Sequence, residues 1–254
     1  MSLFDLTGKT AVITGASSGL GVQFAKALAR QGADVALMAR RAEKLTDVQK
    51  EIEQLGVRCL SVPCDVTKMD ELKRSVAQIE NFFGKVDILV NNAGTGGSVA
   101  AEEQTDDEWK RVIDLNLNSV YYVSREFGKG MVARKYGKII NLGSIHSTVA
   151  MPGLKISSYC ASKGAVAMLT KELANEWAPY NITVNAIGPA YFPSELTDSF
   201  VESEDFKQVI GAYCPMGRAG RAGELDGAII YFASDASSYT TGQLLTIDGG
   251  WTSI

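Results

Sequence analysis

Residues Thr10 to Gly21 read TAVITGASSGLG. The first five residues are apolar or β-branched, as in a buried strand, and a helical pattern follows the last glycine. Gly15, Gly19 and Gly21 allow a sharp turn between the two elements, and free N–H groups stand at the start of the helix. This order favours a pyrophosphate-binding loop. The spacing is GxxxGxG instead of the more common GxGxxG, and a plain turn is the alternative.

Beyond this stretch, short apolar runs alternate with helical patterns along the whole chain. Six more runs are typical of buried strands: Asp34 to Ala39, Arg58 to Val62, Val86 to Asn91, Lys138 to Leu142, Thr183 to Ile187 and Leu244 to Ile247. Helical patterns include Gly21 to Gln31, Glu43 to Leu55, Met69 to Phe83 and Ser158 to Ala178. The alternation predicts an α/β fold, a Rossmann-like doubly wound sheet of seven parallel strands with helices on both faces. No repeat or linker divides residues 1–254, so we expect a single domain.

Composition excludes several classes of protein. The 254 residues are 46% hydrophobic and 21% charged, which is typical of a folded chain. A formal net charge of −4 argues against nucleic-acid binding. No apolar stretch has the length of a membrane span, and the start MSLFDLTGKT lacks the features of a signal peptide, so we expect a cytoplasmic protein without membrane association. Four cysteines without a CxxC pair and one histidine predict reduced thiols and no metal site.

The end of the second predicted strand indicates which dinucleotide would bind. NAD sites of this kind carry Asp or Glu there, whereas this chain has Ala39 followed by Arg40 and Arg41. Guanidinium groups suit a 2′-phosphate, so the sequence predicts NADP, with NADPH preferred over NADH. The alternative is that the two arginines solvate the start of a surface helix, and it applies more to Arg41 than to Arg40. Asp65 could bind the adenine amine or cap the helix that begins near Lys68.

One pair of residues indicates acid–base chemistry. Tyr159 is the only one of nine tyrosines with a lysine four residues later, Lys163. On a helix this spacing puts both side chains on one face, where the ammonium can lower the pKa of the phenol. Ser144 lies just beyond the strand that ends at Leu142, where its hydroxyl could meet the same substrate oxygen. A turn residue is the alternative role for Ser144.

Together these features resemble the short-chain dehydrogenase/reductase family over essentially the whole chain. The motifs that carry the resemblance are TGASSGLG at 14–21, Asp65-Val66, NNAG at 91–94, Asn116 in DLNLNS, Ser144 in INLGS, YCASK at 159–163, Asn185 with Pro189, and DGG at 248–250. The resemblance implies that Tyr159 is the general acid or base and that Ser144 holds the substrate oxygen. It also implies that Lys163 bonds the nicotinamide ribose and that Asn116 anchors a water, with bracing of a helix as the alternative for Asn116.

The resemblance assigns a larger set of residues to the cofactor. They are Gly15, Ser17, Ser18, Gly19, Leu20, Gly21, Arg40, Arg41, Asp65, Val66, Asn92, Ala93, Gly94, Tyr159, Lys163, Pro189, Phe192 and Ser194. Two departures stand out. Ala190 follows Pro189 where the family usually has glycine, and Ser194 replaces the usual threonine that contacts the carboxamide.

The segments MVARKYGKIIN, ASKGAVAMLTKELA and PAYFPSELT are similar to the gluconate 5-dehydrogenase-like branch of the family. This implies an oxidoreductase that interconverts a secondary alcohol and a ketone, with a sugar acid or polyol such as gluconate/5-ketogluconate as substrate. The alternatives are a 3-oxoacyl-carrier-protein reductase, a hydroxysteroid dehydrogenase or a non-catalytic nucleotide-binding module. An enoyl reductase is disfavoured because such enzymes commonly have a wider Tyr-to-Lys spacing.

Substrate specificity is expected in the variable loop at about 190–216 and in the residues after Ser144. The expected substrate contacts are Ser144, His146, Tyr159 and Tyr191, with a structural role as the alternative for the lone histidine. The resemblance also implies a homotetramer in which two long helices, after the fourth and fifth strands, pack against symmetry mates. In this chain they would be roughly Asp106 to Ala133 and Ser158 to Ala178.

Overall fold

A computed structural model describes residues 3–195 and 203–253. Its seven strands form one parallel sheet in the order β3-β2-β1-β4-β5-β6-β7. The strands are β1 Thr10–Thr14, β2 Asp34–Ala39, β3 Cys59–Pro63, β4 Ile88–Asn91, β5 Gly137–Leu142, β6 Ile182–Pro189 and β7 Leu244–Ile247. The predicted Rossmann-like α/β fold is therefore confirmed.

Helices cover both faces of the sheet. They are α1 Gly19–Arg30, α2 Ala42–Glu53, α3 Met69–Phe83, α4 Asp106–Ile113, α5 Ser119–Arg134, α6 Ser157–Trp177, α7 Glu204–Tyr213 and α8 Asp226–Ala233. Side chains of β1 alternate between the two layers: Ile13 packs in the core with α1, α2 and α8, and Val12 packs in the core with α3, α5 and α6. No helix within the described ranges is long and apolar enough to cross a bilayer.

Two strands differ from the prediction at the edges of the sheet. β3 extends to Pro63, where an edge strand tolerates the missing N–H of proline. β7 was predicted to be buried, but it lies at the other edge and is partly exposed, with Leu245 38% accessible. The expectation of a buried β7 is wrong because an edge strand has a neighbour on one side only.

The order of the strands locates the site. The chain passes from β3 at one edge to β4 beside β1, so the direction of winding reverses between β1 and β4. A crevice forms at the carboxyl ends of strands where the order reverses, and ligands of such sheets bind there.

Candidate active site

A cavity of about 620 Å³ opens at the carboxyl ends of β1, β2, β4, β5 and β6. It is lined by most of the predicted site residues: Gly15, Ser17, Ser18, Gly19, Leu20, Arg40, Arg41, Asp65, Val66, Asn92, Ala93, Gly94, Ser144, Tyr159, Lys163, Pro189, Phe192 and Ser194. Four predicted residues do not line it, namely Gly21, Asn116, His146 and Tyr191. The sheet thus brings together segments that are far apart in sequence.

The glycine-rich loop between β1 and α1 has positions that only glycine fits. Gly15 and Gly19 have φ values of +65° and +54°, in the left-handed region. A Cβ atom on Gly15 would lie 2.8 Å from the Cα of Ala93, and one on Gly21 would lie 2.4 Å from the carbonyl oxygen of Gly15. Gly21 therefore allows α1 to approach the Gly15 carbonyl closely, although Gly21 does not line the cavity. The start of α1 faces the cavity, as a phosphate site requires.

Thr14 is a site residue that the sequence analysis missed. Its Oγ1 accepts hydrogen bonds from the N–H groups of Asn92 and Ala93, both at 3.0 Å. Asn92 in turn donates through Nδ2 to the carbonyl oxygen of Thr14 at 2.9 Å. These bonds join β1 to β4 where the winding reverses. The sequence did contain a signal for this role, because Thr14 is the last residue of β1 and directly precedes the glycine loop.

The two arginines after β2 take different positions. Arg41 lies across the phosphate loop, where its Nη2 donates to Ser18 Oγ at 2.8 Å and to Ser17 Oγ at 2.9 Å. Arg40 lines the cavity near Asp65. Burial alone would raise the pKa of Asp65, but hydrogen bonds from Thr67 and the charge of Arg40 outweigh it and lower that pKa. Arg41, which the sequence favoured less, thus makes the direct contacts with the loop.

Asp65 stabilises a local turn, but it does not cap the helix that follows, which was one of its two predicted roles. Its Oδ1 accepts from the Thr67 N–H at 3.0 Å and from the Thr67 hydroxyl at 2.7 Å. The helix that follows begins at Met69.

Ser144 is fixed by a short 3₁₀ turn, Ile145–Ser147, that follows β5. Its Oγ accepts from the His146 N–H at 3.1 Å, and its own N–H donates to Ser147 Oγ at 3.2 Å. Neither bond uses the hydroxyl hydrogen of Ser144, so that hydrogen can be donated either to the phenol of Tyr159 or to a substrate oxygen.

Tyr159 lies in the first turn of α6, is partly buried and lines the cavity. Burial raises the pKa of the phenol, and a hydrogen bond with Ser144 only partly offsets that effect. The lowering of this pKa by Lys163, which the sequence analysis expected, is not found in the structure. The phenol consequently holds its proton at neutral pH.

Lys163 is buried one turn further along α6, with 6% of its surface exposed. Its Nζ lies 5.7 Å from the centre of the Tyr159 ring and donates to the Leu142 carbonyl oxygen at 2.6 Å. Burial lowers the pKa of Lys163 to about 8. The bond to Leu142 explains why the ammonium is held near the phenol without touching it.

Asn116 lies in a π-helical turn, Asp114–Asn118, that joins α4 to α5. Its Oδ1 accepts from the Thr95 N–H at 2.8 Å, and its Nδ2 donates to the Thr95 carbonyl at 2.9 Å and to Ser162 Oγ at 3.1 Å. These contacts brace the loop after β4 against α6. These bonds are consistent with a bracing role, the alternative for Asn116, and its role in anchoring a water stays a prediction.

His146 lies between Tyr159 and Tyr191, and neither His146 nor Tyr191 lines the cofactor cavity. The His146 ring centre is 6.2 Å from that of Tyr159, and burial lowers the pKa of the imidazole. The carbonyl of Val149 only accepts, so Nδ1 at 3.1 Å carries the proton and Nε2 accepts from the Tyr191 hydroxyl at 3.3 Å. Tyr191 lines a second cavity of about 330 Å³. This arrangement matches the structural role for His146, and its contact with substrate stays a prediction.

Comparisons with known proteins show which family the chain resembles over its length. A family model described as enoyl-(acyl carrier protein) reductase matches residues 15–252. Gluconate 5-dehydrogenase of Gluconobacter oxydans is 40% identical over 250 residues, which cover 98% of this chain and 97% of that protein. A 2-dehydro-3-deoxy-D-gluconate 5-dehydrogenase of Pseudoalteromonas atlantica is 41% identical over 98% of this chain and 97% of that protein.

A solved structure shows the same fold with ligands bound. The gluconate 5-dehydrogenase of Burkholderia cenocepacia, crystallised with NADP and tartrate, superposes with a TM-score of 0.95 at 36% identity, covering 99% of this chain and 98% of that one. Fold, motifs and full-length similarity lead to one conclusion: the chain belongs to the short-chain dehydrogenase/reductase family and is an NAD(P)-dependent enzyme that acts on CH–OH groups.

Proposed function

We propose that this protein is an NADP(H)-dependent oxidoreductase that interconverts a secondary alcohol and a ketone in a sugar acid or polyol, such as gluconate and 5-ketogluconate. The observation that carries the proposal is the convergence of Ser144, Tyr159 and Lys163 at one end of a cavity whose other end holds Arg40 and Arg41. Hydride chemistry belongs to the nicotinamide when it is bound, and the proton chemistry belongs to the protein.

Tyr159 is the proposed general acid and base. Its raised pKa keeps the phenol protonated at neutral pH, which is the form that donates a proton to a ketone oxygen during reduction. Ser144 holds the same oxygen through its hydroxyl hydrogen, and the His146 N–H fixes the position of Ser144 Oγ. Lys163 would bond the nicotinamide ribose from its buried place beside the tyrosine.

The preference for NADPH rests on charge. Arg40 and Arg41 follow β2, and no Asp or Glu stands at the end of that strand, where the adenosine ribose of a bound dinucleotide would lie. Arg41 is oriented by Ser17 and Ser18, so its fork is already held beside the phosphate loop. The crystallised relative from Burkholderia cenocepacia binds NADP.

The sugar-acid class is supported by the names of the full-length relatives, which act on gluconate or 2-dehydro-3-deoxy-D-gluconate. A substrate panel followed by NADPH absorbance tests the class directly. We expect turnover of 5-ketogluconate or a related keto acid or ketose. Turnover confined to 3-oxoacyl thioesters or steroids would contradict the proposal.

We also propose that residues 1–254 form one domain and that the protein is a cytoplasmic homotetramer with a small-molecule substrate as its partner.

A further inference from the structure

Glu195 lies on the loop after β6, yet its carboxylate is bound to the opposite side of the cofactor cavity. Its Oε2 accepts from Arg41 Nη2 at 2.9 Å and its Oε1 accepts from Arg41 Nη1 at 3.2 Å. Lys44, in the first turn of α2, also donates to Oε1 at 2.6 Å. Two cations from the segment after β2 therefore hold one anion from the segment after β6, 154 residues away.

The loop that carries Glu195 also touches the phosphate loop. A Cβ atom on Gly19 would lie 3.3 Å from the Cβ of Ser194, so the two loops are nearly in contact. Glu195, Ser194, Arg41 and Ser18 all line the same cavity. The carboxylate is thus part of the cofactor site, and not a distant surface charge.

A carboxylate and a phosphate compete for the same guanidinium fork. Each of these anions has two oxygens that can accept a pair of parallel N–H bonds from one arginine. The hydrogen bonds from Arg41 and Lys44 lower the pKa of Glu195 to about 2, so the group is ionised throughout the neutral range. A 2′-phosphate that pairs with Arg41 in a bidentate way would take the Nη1 and Nη2 contacts that Glu195 holds.

We propose that Glu195 is a specificity residue for the cofactor, because its carboxylate holds the Arg41 and Lys44 cations that a 2′-phosphate would take. A ligand with a 2′-phosphate must displace this carboxylate, whereas a ligand with a free 2′-hydroxyl leaves it in place. Glu195 therefore weakens NADPH binding selectively and narrows the preference over NADH. This inference rests on the proposed role of the arginines in binding NADPH.

The test is isothermal titration of four ligands into the wild type, Glu195→Gln and Glu195→Ala. The ligands are NADPH, NADH, adenosine 2′,5′-bisphosphate and AMP, and the last two isolate the 2′-phosphate from the nicotinamide. Arg41 and Glu195 are about half exposed, so we expect the Kd of NADPH and of the bisphosphate to fall about threefold to fivefold in both variants. The Kd of NADH and of AMP should change by less than about twofold.

Glu51→Gln is the matched control. Glu51 pairs with Lys26 between α1 and α2, away from the cavity, and its substitution removes the same charge. The four Kd values of this variant should equal those of the wild type. In the Arg41→Met background, Glu195→Gln should have a smaller effect on NADPH, because the main competing contact is gone.

The outcomes separate the two proposals. A wild type that binds NADH more tightly than NADPH contradicts the proposed cofactor preference. A wild type that prefers NADPH, with an unchanged NADPH-to-NADH ratio in both Glu195 variants, leaves that preference intact and overturns the role of Glu195. Weaker NADPH binding in both variants would also overturn it, since Glu195 would then support the bound cofactor.

Discussion

Burial controls the two ionisable residues at the catalytic end of the cavity. It raises the pKa of Tyr159 and lowers that of Lys163, so each shift favours the neutral form. A neutral phenol is a proton donor, and a lysine with a pKa of about 8 changes charge close to physiological pH. Residues with such shifts are common at functional sites.

Substitution of Tyr159 by phenylalanine tests the proton donor. The ring and its packing are kept while the hydroxyl is lost, so ketone reduction should slow by a factor on the order of 10²–10⁴, as expected for a general acid. The Kd of NADPH, measured by titration, should stay close to the wild-type value. Near-normal turnover by Tyr159→Phe would remove Tyr159 from the mechanism. Tyr180→Phe, at an exposed tyrosine, is the control.

Lys163→Met tests the cost of burying the ammonium. Below about pH 8 the lysine is charged in both the folded and the unfolded chain, so the wild type bears the full cost. Between the folded pKa of about 8 and the ordinary value of 10.5, only the unfolded chain binds the proton, and stability rises with pH. In urea unfolding, the free energy of unfolding of the wild type should rise relative to that of Lys163→Met by up to about 3 kcal/mol across this range. A difference that is independent of pH would contradict the shifted pKa.

Arg40 and Arg41 are tested through the ratio of the Kd values for NADPH and NADH. A charged hydrogen bond contributes about 1.5–3 kcal/mol, so Arg40→Ala and Arg41→Ala should each reduce the preference for NADPH by about tenfold or more. NADH binding should change little. Arg30→Ala, in the last turn of α1 and away from the cavity, should leave the ratio unaltered. An unchanged ratio in both cavity variants would show that these side chains only solvate the surface.

At the scale of secondary structure, the junction of β1 and α1 depends on close approach. A Cβ atom on Gly21 would be 2.4 Å from the Gly15 carbonyl oxygen and 2.7 Å from Asn92 Nδ2, so α1 or the loop must move. Gly21→Ala should therefore weaken binding of NADPH and of NADH alike, by isothermal titration, and lower the Tm. Gly227→Ala, in α8 where a Cβ meets nothing within 4 Å, should raise stability by about 0.5–1 kcal/mol. Normal cofactor binding by Gly21→Ala would contradict the role of the loop.

The elements that the sequence predicted best are those whose residues lie near each other in the chain. β1 and β2 and the helix Met69–Phe83 have the predicted ends, since continuous apolar runs and a regular helical pattern determine them locally. The segment Asp106 to Ala133 was predicted as one helix, but a π-helical turn interrupts it at Asp114–Asn118. An inserted residue of this kind depends on the tertiary contacts of Asn116, which periodicity does not reveal.

In the site, too, the sequence predicted the features that depend on residues close together in the chain. Tyr159 and Lys163 follow from a spacing of four residues on a helix, and the glycine loop follows from its position after β1. The pair of Arg41 with Glu195 and that of His146 with Tyr191 span 154 and 45 residues, and no local pattern indicates them. Folding brings these residues together because β2, β5 and β6 are parallel, so their carboxyl ends lie at the same end of the sheet.

At the scale of the whole molecule, large apolar side chains remain exposed on three neighbouring helices. Trp109 on α4 is 41% exposed, Tyr121 on α5 is 42% exposed and Met168 on α6 is 62% exposed. Both α4 and α5 pack against α6, so the three helices that carry these residues are neighbours. These helices are the ones that the family resemblance places between subunits.

Light scattering at micromolar concentration tests the assembly. We expect a mass of about four times 27.2 kDa, since contacts of this kind usually close with symmetry. Met168→Glu places a charge without a partner in the proposed interface, so the measured mass should fall to that of a dimer or monomer. Leu55→Glu makes the same chemical change at an exposed residue just beyond α2 and should keep the wild-type mass. A monomeric wild type would refute the tetramer, and a Met168→Glu variant of wild-type mass would move the interface away from α6.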